Sequence, residues 1–165
     1  MKTLVLVRHA KSSWKNPDLT DRERPLNDRG KRDAPFMGKL LGEKGVTPDL
    51  IITSPANRAM STARIIAREL RYPADDIAVI ESLYMGDTEE FLRILHDLND
   101  SHGAVMIVGH NPEITIFTSF ITGDHIDNMP TCGIVCADFA IDEWKAVSRG
   151  NGEMRFFEYP KKYFR

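Results

Sequence analysis

The feature that most constrains this chain is a short, fully apolar run that ends in polar residues. The run Leu4–Val7 is followed directly by Arg8 and His9. Four apolar residues in a row are typical of a strand buried on both faces, and such strands belong to parallel sheets. Ligands of these sheets gather outside the carboxyl ends of the strands. The pattern therefore places a cation and an imidazole where a binding site is expected.

Apolar runs and helical segments alternate along the rest of the chain. The further predicted strands span residues 50–52, 77–80, 104–108, 133–140 and 154–159. Such alternation implies a mostly parallel sheet that is covered on both faces. The expected fold class is α/β, a three-layer α/β/α sandwich with a mostly parallel central sheet. A length of 165 residues fits a single domain, 1–165, with a sizeable core.

Four helices are expected between these strands. They begin near Asn27 or Asp28, at Pro55, after Asp87 and at Pro112, and they end near Lys44, Leu70, Leu98 and Gly123. Ser54 and Asn111 are expected to cap the second and fourth helices, each followed by proline as the first helical residue. Asp87 and Glu90 match a capping box. Pro35 predicts a kink in the first helix, or a helix that begins after it.

Composition excludes several classes of function. The chain is 42% hydrophobic and 28% charged, which is typical of a globular protein. A net charge of −2 argues against nucleic-acid and membrane binding, so an anion site would be a local pocket. With no signal-peptide pattern and no apolar run near ~20 residues, we expect a cytoplasmic protein. Cys132 and Cys136 are expected to be apolar fillers of one strand face, without a disulfide or metal role.

Three predicted strand ends carry side chains suited to phosphate. Arg8 and His9 follow the first strand, Arg58 lies in the first helical turn after the second, and His110 follows the strand at 104–108. If these strands are parallel, the four side chains converge on one edge. Arginine matches phosphate oxygens bidentately, and helix N-termini attract anions. A neutral histidine held there is a competent nucleophile toward phosphorus.

These residues resemble the motifs of the histidine phosphatase (phosphoglycerate mutase-like) superfamily, and within it the compact SixA-type phosphohistidine phosphatases. The similar segments are Val7–Ala10, Arg24–Leu26 with Gly30, Thr53–Ala59 with Thr62 and Ala63, Val108–Asn111, and Gly133–Ile134. They extend over nearly the whole chain. The resemblance implies a phosphatase that hydrolyses phosphohistidine in a signalling protein, with no metal or organic cofactor.

The resemblance also implies a role for each matching residue. His9 is the phosphorylated nucleophile, and Arg8, Arg58 and His110 complete the catalytic set by binding the phosphate. Asn111, next to His110, is added to the expected phosphate-binding residues. The mechanism would be two in-line displacements, in which His9 takes the phosphoryl group and water then removes it.

Two positions depart from the superfamily pattern. Ala10 replaces the usual glycine, and its methyl group fits if φ is negative there. Many members also place a glutamate, the general acid, in the segment that corresponds to residues 83–86, where this chain has no carboxylate. Asp87 and Glu81 are the nearest candidates for that acid. Because phosphohistidine can leave as a neutral imidazole, a missing acid favours this substrate over sugar phosphates.

The polar stretch 10–27 predicts a long loop, and loops of that length are often functional. Arg24 and Trp14 within it are candidates for substrate contact. The expected partner is a phosphorylated protein or a small phosphorylated substrate, with no nucleic acid and no membrane. Two alternatives stay open: a small-molecule phosphomonoesterase of the same superfamily, and a non-catalytic phosphate-binding member.

Overall fold

A computed structural model describes residues 1–164 and contains one six-stranded sheet. The strands are β1 (Lys2–Arg8), β2 (Leu50–Thr53), β3 (Ala78–Val79), β4 (Ala104–Gly109), β5 (Ile134–Phe139) and β6 (Gly152–Glu158). Their order in the sheet is β3-β2-β4-β1-β5-β6. The first four strands are mutually parallel, whereas β5 and β6 are antiparallel to their neighbours. The predicted mostly parallel sheet is confirmed.

Four helices cover the two faces of the sheet. They are α1 (Asp28–Glu43), α2 (Asn57–Glu69), α3 (Thr88–His96) and α4 (Glu113–Thr122). In β1, Leu4 and Leu6 pack with residues of α3 and α4, while Val5 and Val7 pack with residues of α1 and α2. This two-sided burial explains the unbroken apolar run, and it confirms the three-layer α/β/α fold. Within residues 1–164, no helix is long and apolar enough to span a bilayer.

The parallel register brings three strand ends to one edge of the sheet. Arg8 of β1 lies opposite Gly109 of β4, and Thr53 of β2 lies opposite Val108. The backbone pairing continues one residue further, because the His9 N–H donates to the Gly109 carbonyl at 3.1 Å. The side chains that follow β1, β2 and β4 are therefore positioned by sheet hydrogen bonds.

The first helix begins at Asp28, which confirms the predicted start, and it continues through Pro35, so the alternative of a helix that begins after Pro35 is wrong. The Asn27 side chain accepts a hydrogen bond from the Gly30 N–H at 2.9 Å and caps the helix. Met37 and Leu41 are buried in the cluster that α1 shares with α2. This packing outweighs the backbone hydrogen bond that proline removes, since helices in proteins are stabilised mainly by their buried face.

The polar loop before α1 is held against that helix. Ser12 and Leu26 form an antiparallel bridge, and the Asn27 N–H donates to the Lys11 carbonyl at 2.9 Å. A Cβ added to Gly30 would lie 2.2 Å from the Lys11 carbonyl oxygen. Only glycine permits this approach, so Gly30 fixes the path of the loop across the sheet edge.

Two of the other predicted helix starts are wrong. The second helix begins at Asn57 with Ala56 as its N-cap, and not at Pro55 behind a Ser54 cap. The Ser54 hydroxyl instead accepts from the Ala56 N–H and contacts the ring of His110. The fourth helix begins at Glu113, one residue after its predicted start. In both cases the expected capping side chain is engaged elsewhere.

The third helix forms half of its expected capping box. The Asp87 side chain accepts from the Glu90 N–H at 3.0 Å, but the Glu90 carboxylate pairs with Arg93 instead of returning to Asp87. The helix ends at His96, before the predicted end at Leu98.

The two cysteines and Ala10 are all buried. Cys136 lies in β5, as expected, whereas Cys132 precedes that strand in a turn with φ of 59°, so its predicted strand position is wrong. Ala10 is absent from the residues of positive φ within the described chain. Its methyl group therefore fits where the family motif has glycine.

Candidate active site

A cavity of about 340 Å³ opens at the carboxyl edge of the parallel strands. Arg8, His9, Arg58 and His110 all line it. Arg8 is the last residue of β1, and His9 follows it. Arg58 lies in the first turn of α2, and His110 follows β4. The four side chains that the sequence predicts to converge thus lie together around one cavity.

The ring of His9 is oriented by a local hydrogen bond. Its Nδ1 lies 2.7 Å from the Ala10 carbonyl, which can only accept, so Nδ1 carries the proton. Burial, opposed by this hydrogen bond and assisted by His110 and the arginines, lowers the pKa of His9 to about 3. The imidazole is therefore neutral near pH 7. Its Nε2 holds a lone pair and makes no hydrogen bond to any residue in 1–164.

Two hydrogen bonds connect the backbone next to His9 with α2. The Ala10 N–H donates to the Thr62 hydroxyl at 2.9 Å, and that hydroxyl donates to the Arg58 carbonyl at 2.8 Å. Thr62 is fully buried on the core face of α2, where the sequence pattern places it. One side chain therefore sets the distance between the nucleophile candidate and the first turn of α2.

The two arginines differ in how they are held. Arg8 Nη1 donates to the Met129 carbonyl at 2.8 Å, while its Nε is buried without a partner. Burial lowers the pKa of Arg8 from its ordinary value. Arg58 donates through Nη1 to the Asp21 carbonyl at 2.6 Å and through Nη2 to the Asp21 carboxylate at 2.9 Å. Both guanidinium groups are thus fixed in position by the protein.

His110 lies beside His9, with the two ring centres 5.1 Å apart. Its Nε2 is 2.7 Å from the Ser54 hydroxyl, and its Nδ1 is buried without a partner. Burial, followed by the charge of Arg58, lowers the pKa of His110 to about 4. The cavity therefore holds two neutral imidazoles together with the guanidinium groups of Arg8 and Arg58.

Asp21 is a cavity residue that sequence analysis missed. Its carboxylate accepts hydrogen bonds from Arg24 at 2.9 Å, from Arg58 and from the Tyr84 hydroxyl. The bond from Tyr84, together with those from the arginines, holds the pKa of Asp21 well below its usual range. The Tyr84 ring also stands edge-on to His110, 5.7 Å between centres. No local pattern marks Asp21, because its partners lie up to 63 residues away.

The predicted loop candidates, Arg24 and Trp14, both line the cavity. The Arg24 guanidinium lies 3.3 Å from the centre of the Trp14 ring. It also donates to the Ser13 carbonyl at 3.2 Å and to the Ser12 hydroxyl. Arg24 is buried, whereas Trp14 is 74% exposed, so the indole forms an apolar edge at the cavity entrance.

Asn111 lines the cavity, but its amide has no free donor. Its Nδ2 donates to the Asn128 side chain at 2.6 Å and to the Met129 carbonyl at 3.2 Å, which uses both N–H groups. Its Oδ1 accepts from the Thr115 hydroxyl at 2.6 Å. The side-chain N–H groups are therefore taken, and phosphate binding by Asn111 stays a prediction that its backbone N–H would have to fulfil. The Asn111 side chain holds the turn whose Met129 carbonyl also binds Arg8.

Neither candidate for the general acid lines this cavity. Glu81 and Asp87 line a neighbouring cavity of about 390 Å³. Glu81 forms an exposed ion pair with Arg22, and Asp87 caps α3. A second carboxylate that the sequence analysis missed, Glu113 in the first turn of α4, does line the cavity that holds His9. Its place three residues after His110 is the only signal that could have found it.

Among residues 1–164, no group of three or more His, Cys, Asp or Glu side chains is arranged to hold a metal ion. The charged and imidazole groups that line the cavity are three guanidiniums, one ammonium, two imidazoles and two carboxylates. Such a set can bind an oxyanion at its cationic side while presenting an unprotonated ring nitrogen to it.

Residues 4–93, more than half of the chain, match the family model described as the histidine phosphatase superfamily, branch 1. The chain therefore belongs to the histidine phosphatase superfamily. Within it, the fold is similar to the crystal structure of a protein assigned as the phosphohistidine phosphatase SixA of Agrobacterium tumefaciens. That similarity has a TM-score of 0.83 and 26% identity, and it covers 96% of this chain and 98% of the other.

The sequence relatives include an uncharacterised protein and a mutase. An uncharacterised chloroplastic protein of Arabidopsis thaliana is 28% identical over 152 residues, which cover 87% of this chain and 69% of the relative. Phosphoglycerate mutase 1 of Saccharomyces cerevisiae is 42% identical over 67 residues, but these cover only 39% of this chain and 27% of the mutase. The similarity to the mutase is thus confined to one segment.

Proposed function

We propose that this chain is a phosphohistidine phosphatase that acts through a covalent phosphohistidine intermediate on His9, with a phosphorylated protein as its substrate. Membership of the superfamily and the SixA-like fold support this proposal. The observation that carries it is the state of His9. Its ring is neutral, its Nδ1–H is anchored on the Ala10 carbonyl, and its Nε2 is left for phosphorus.

In the first displacement, His9 Nε2 attacks phosphorus in line with the bond to the leaving group. Arg8 and Arg58 bind the equatorial oxygens and offset the charge of the transferring group. The Arg8 Nε and His110 Nδ1 are both buried without partners, and a phosphoryl group supplies the acceptors that they lack. We assign the Ser54 hydroxyl as the donor to His110 Nε2, which places the ring proton on Nδ1 for this contact.

In the second displacement, water attacks phosphorus and His9 leaves as a neutral imidazole. While Nε2 carries the phosphoryl group, the ring of His9 is cationic and its Nδ1–H bond to the Ala10 carbonyl is strengthened. That carbonyl therefore stabilises the intermediate without taking up a proton. Before the phosphoryl group binds, His110 is neutral, because burial lowers its pKa to about 4.

A phosphohistidine substrate suits the low acidity of the groups at this site. Asp21 has a depressed pKa and is ionised, and Tyr84 has a pKa raised by burial and by Asp21. Neither is therefore an efficient proton donor near pH 7. A leaving imidazole needs no proton on the departing nitrogen if its other nitrogen already carries one. The leaving oxygen of a sugar or alkyl phosphate has no second nitrogen that carries a proton, so its departure depends on a proton donor.

Rapid mixing with phosphoramidate, a simple P–N donor, tests the covalent step. We expect one phosphate per chain that is labile to acid and stable to base, and none in His9→Ala. His125→Ala is the matched control, because His125 is an exposed histidine outside the cavity. Labelling of His9→Ala, or binding of phosphoramidate by the wild type without labelling or release, contradicts the proposed mechanism.

Relative rates test the substrate class. We expect kcat/KM to be highest for a phosphohistidine peptide, lower for p-nitrophenyl phosphate, and lowest for 3-phosphoglycerate. A preference for 3-phosphoglycerate or another small phosphomonoester would instead identify a small-molecule phosphatase of the same superfamily.

A further inference from the structure

Three buried polar atoms of side chains lack a hydrogen-bond partner within residues 1–164, and all three belong to residues around one cavity. They are Arg8 Nε, His110 Nδ1 and Glu113 Oε2. Buried polar groups are nearly always paired, so each such exception needs an explanation. The first two are donors, which an oxyanion satisfies. Glu113 Oε2 is an acceptor when the carboxyl group is ionised, so it requires a different partner.

Glu113 makes no ion pair or hydrogen bond through its side chain with the described residues. Its location in the first turn of α4 explains why a carboxylate is favoured there, since it complements the helix dipole. The dipole does not explain why the group turns toward a cavity lined by His9 and His110 without a donor to meet it. In contrast, the Asp21 carboxylate in the same cavity accepts from three side chains.

We propose that Glu113 is a specificity-determining residue that accepts a hydrogen bond from the distal ring N–H of the leaving imidazole. This proposal rests on the proposed function and names the part of the substrate that is recognised. Phosphoryl transfer from phosphohistidine to His9 joins two imidazoles through one phosphorus. Each ring then needs an acceptor for its distal N–H, and on the enzyme side that acceptor is the Ala10 carbonyl. Glu113 supplies the acceptor on the substrate side.

The step balances without an added acid. The reacting substrate ring is cationic, with a proton on one nitrogen and the phosphoryl group on the other. The His9 Nε2–P bond forms as the substrate N–P bond breaks, and that bond's electron pair goes to the leaving nitrogen. The substrate leaves as neutral imidazole with its distal proton in place, while the ring of His9 becomes cationic. Glu113 accepts the distal N–H of the cationic substrate ring, and the step transfers no proton to it.

A carboxylate in this place also discriminates against other substrates. An aryl phosphate has no donor on its leaving group, so the Glu113 charge would contribute only repulsion toward the phosphate dianion. A protonated imidazole carries both a positive charge and a directed N–H. Hydrogen bonds to charged groups contribute more than neutral ones, which corresponds to a selectivity of about 10- to 100-fold.

The test compares Glu113→Gln with the wild type on three substrates: a phosphohistidine peptide, p-nitrophenyl phosphate and phenyl phosphate. Glutamine keeps the length of the side chain and removes its charge. We expect kcat/KM for phosphohistidine to fall about 10- to 100-fold, with unchanged or higher values for both aryl phosphates. Asp21→Asn is the matched carboxylate control, because Asp21 binds protein donors. It should lower the values for all three substrates by a similar factor.

Each other outcome overturns the proposal. An equal loss on all substrates would show that Glu113 supports the cavity itself, and no loss on phosphohistidine would show that it makes no contact with the leaving group. A loss on phenyl phosphate that exceeds the loss on p-nitrophenyl phosphate would identify a general acid. Wild-type protein that hydrolyses aryl phosphates but not phosphohistidine would refute the proposed function, which is a separate result. Thermal unfolding of both variants checks that they fold.

Discussion

The cavity that holds His9 and the surface beside it are built in different ways. The pocket floor consists of Arg8, His9, Arg58 and His110. The pocket rim consists of Trp14 and Asp21, which line the same cavity, and of the adjoining ion pair of Arg22 with Glu81, which lies outside it. Three floor residues are less than 9% exposed, whereas all four rim residues are exposed. The floor is positioned by strand register and helix backbone, but the rim is held by side-chain pairs between two loops.

This difference suggests separate roles, in which the floor carries out the reaction and the rim contributes to substrate recognition. Backbone hydrogen bonds hold the floor rigidly, as a preorganised electrostatic site requires, because reorientation during the reaction would cost rate. Exposed ion pairs such as Arg22 with Glu81 contribute little to stability and can rearrange around different partners. We therefore expect floor substitutions to affect every substrate alike, and the same holds for Asp21, because it fixes the Arg58 guanidinium. Substitutions of the other rim residues should have small or substrate-dependent effects.

The largest expected difference between the regions is in kcat/KM, between a variant of the floor residue Arg58 and a variant of the rim residue Arg22. Arg58→Ala should lower kcat/KM on p-nitrophenyl phosphate by about 10³-fold or more, because it removes charge stabilisation from the transferring phosphoryl group. Arg22→Ala should change it by less than about threefold, since that guanidinium pairs with Glu81 in solvent. Circular dichroism of both variants checks folding. Similar losses in the two variants would remove the distinction between floor and rim.

The next largest expected effect is on the way the free energy of unfolding depends on pH. The folded pKa values of His9 and His110 are about 3 and about 4, both below the ordinary value of 6.5. Above pH 6.5 both rings are neutral in the folded and unfolded states. Below it the unfolded chain binds protons that the fold excludes, so the free energy of unfolding falls as pH decreases. The slope is at most about 1.4 kcal/mol per pH unit for each histidine.

Urea denaturation between pH 6.5 and 4.5 measures this slope. His110→Gln should make it shallower, because one excluded proton is removed. Asp21→Asn should leave it intact, since the depressed pKa of Asp21 stabilises the fold above its ordinary value of 3.8 and that contribution is lost only at lower pH. An unchanged slope in His110→Gln would show that the floor histidines are not buried as neutral rings.

The floor could be predicted from sequence because its geometry follows from local patterns. An apolar run identifies a strand, parallel pairing aligns the strand ends, and the residues just beyond Val7 and Val108 must then be neighbours. Helix starts were predicted less well where a capping side chain had a tertiary partner. Ser54 is the example, since its hydroxyl contacts His110.

The rim could not be predicted in the same way. Asp21 and Tyr84 lie 63 residues apart, and their contact depends on the path of a loop that Gly30 sets by its close approach to Lys11. Glu113 illustrates a related limit, because its side chain has no protein partner among the described residues from which a pattern could arise. Long-range side-chain contacts and unpaired groups both require coordinates.

The smallest expected effect concerns Glu81, one of the two sequence candidates for a general acid, the other being Asp87. Its pKa is lowered by its hydrogen bond from Arg22, and it lines the neighbouring cavity instead of the one that holds His9. Glu81→Gln should therefore change kcat/KM on phenyl phosphate by less than about threefold, through a looser rim alone. Loss of a general acid would instead cost about 10²- to 10⁴-fold on this poor leaving group. A loss of that size would place Glu81 in the reaction and remove the boundary between floor and rim.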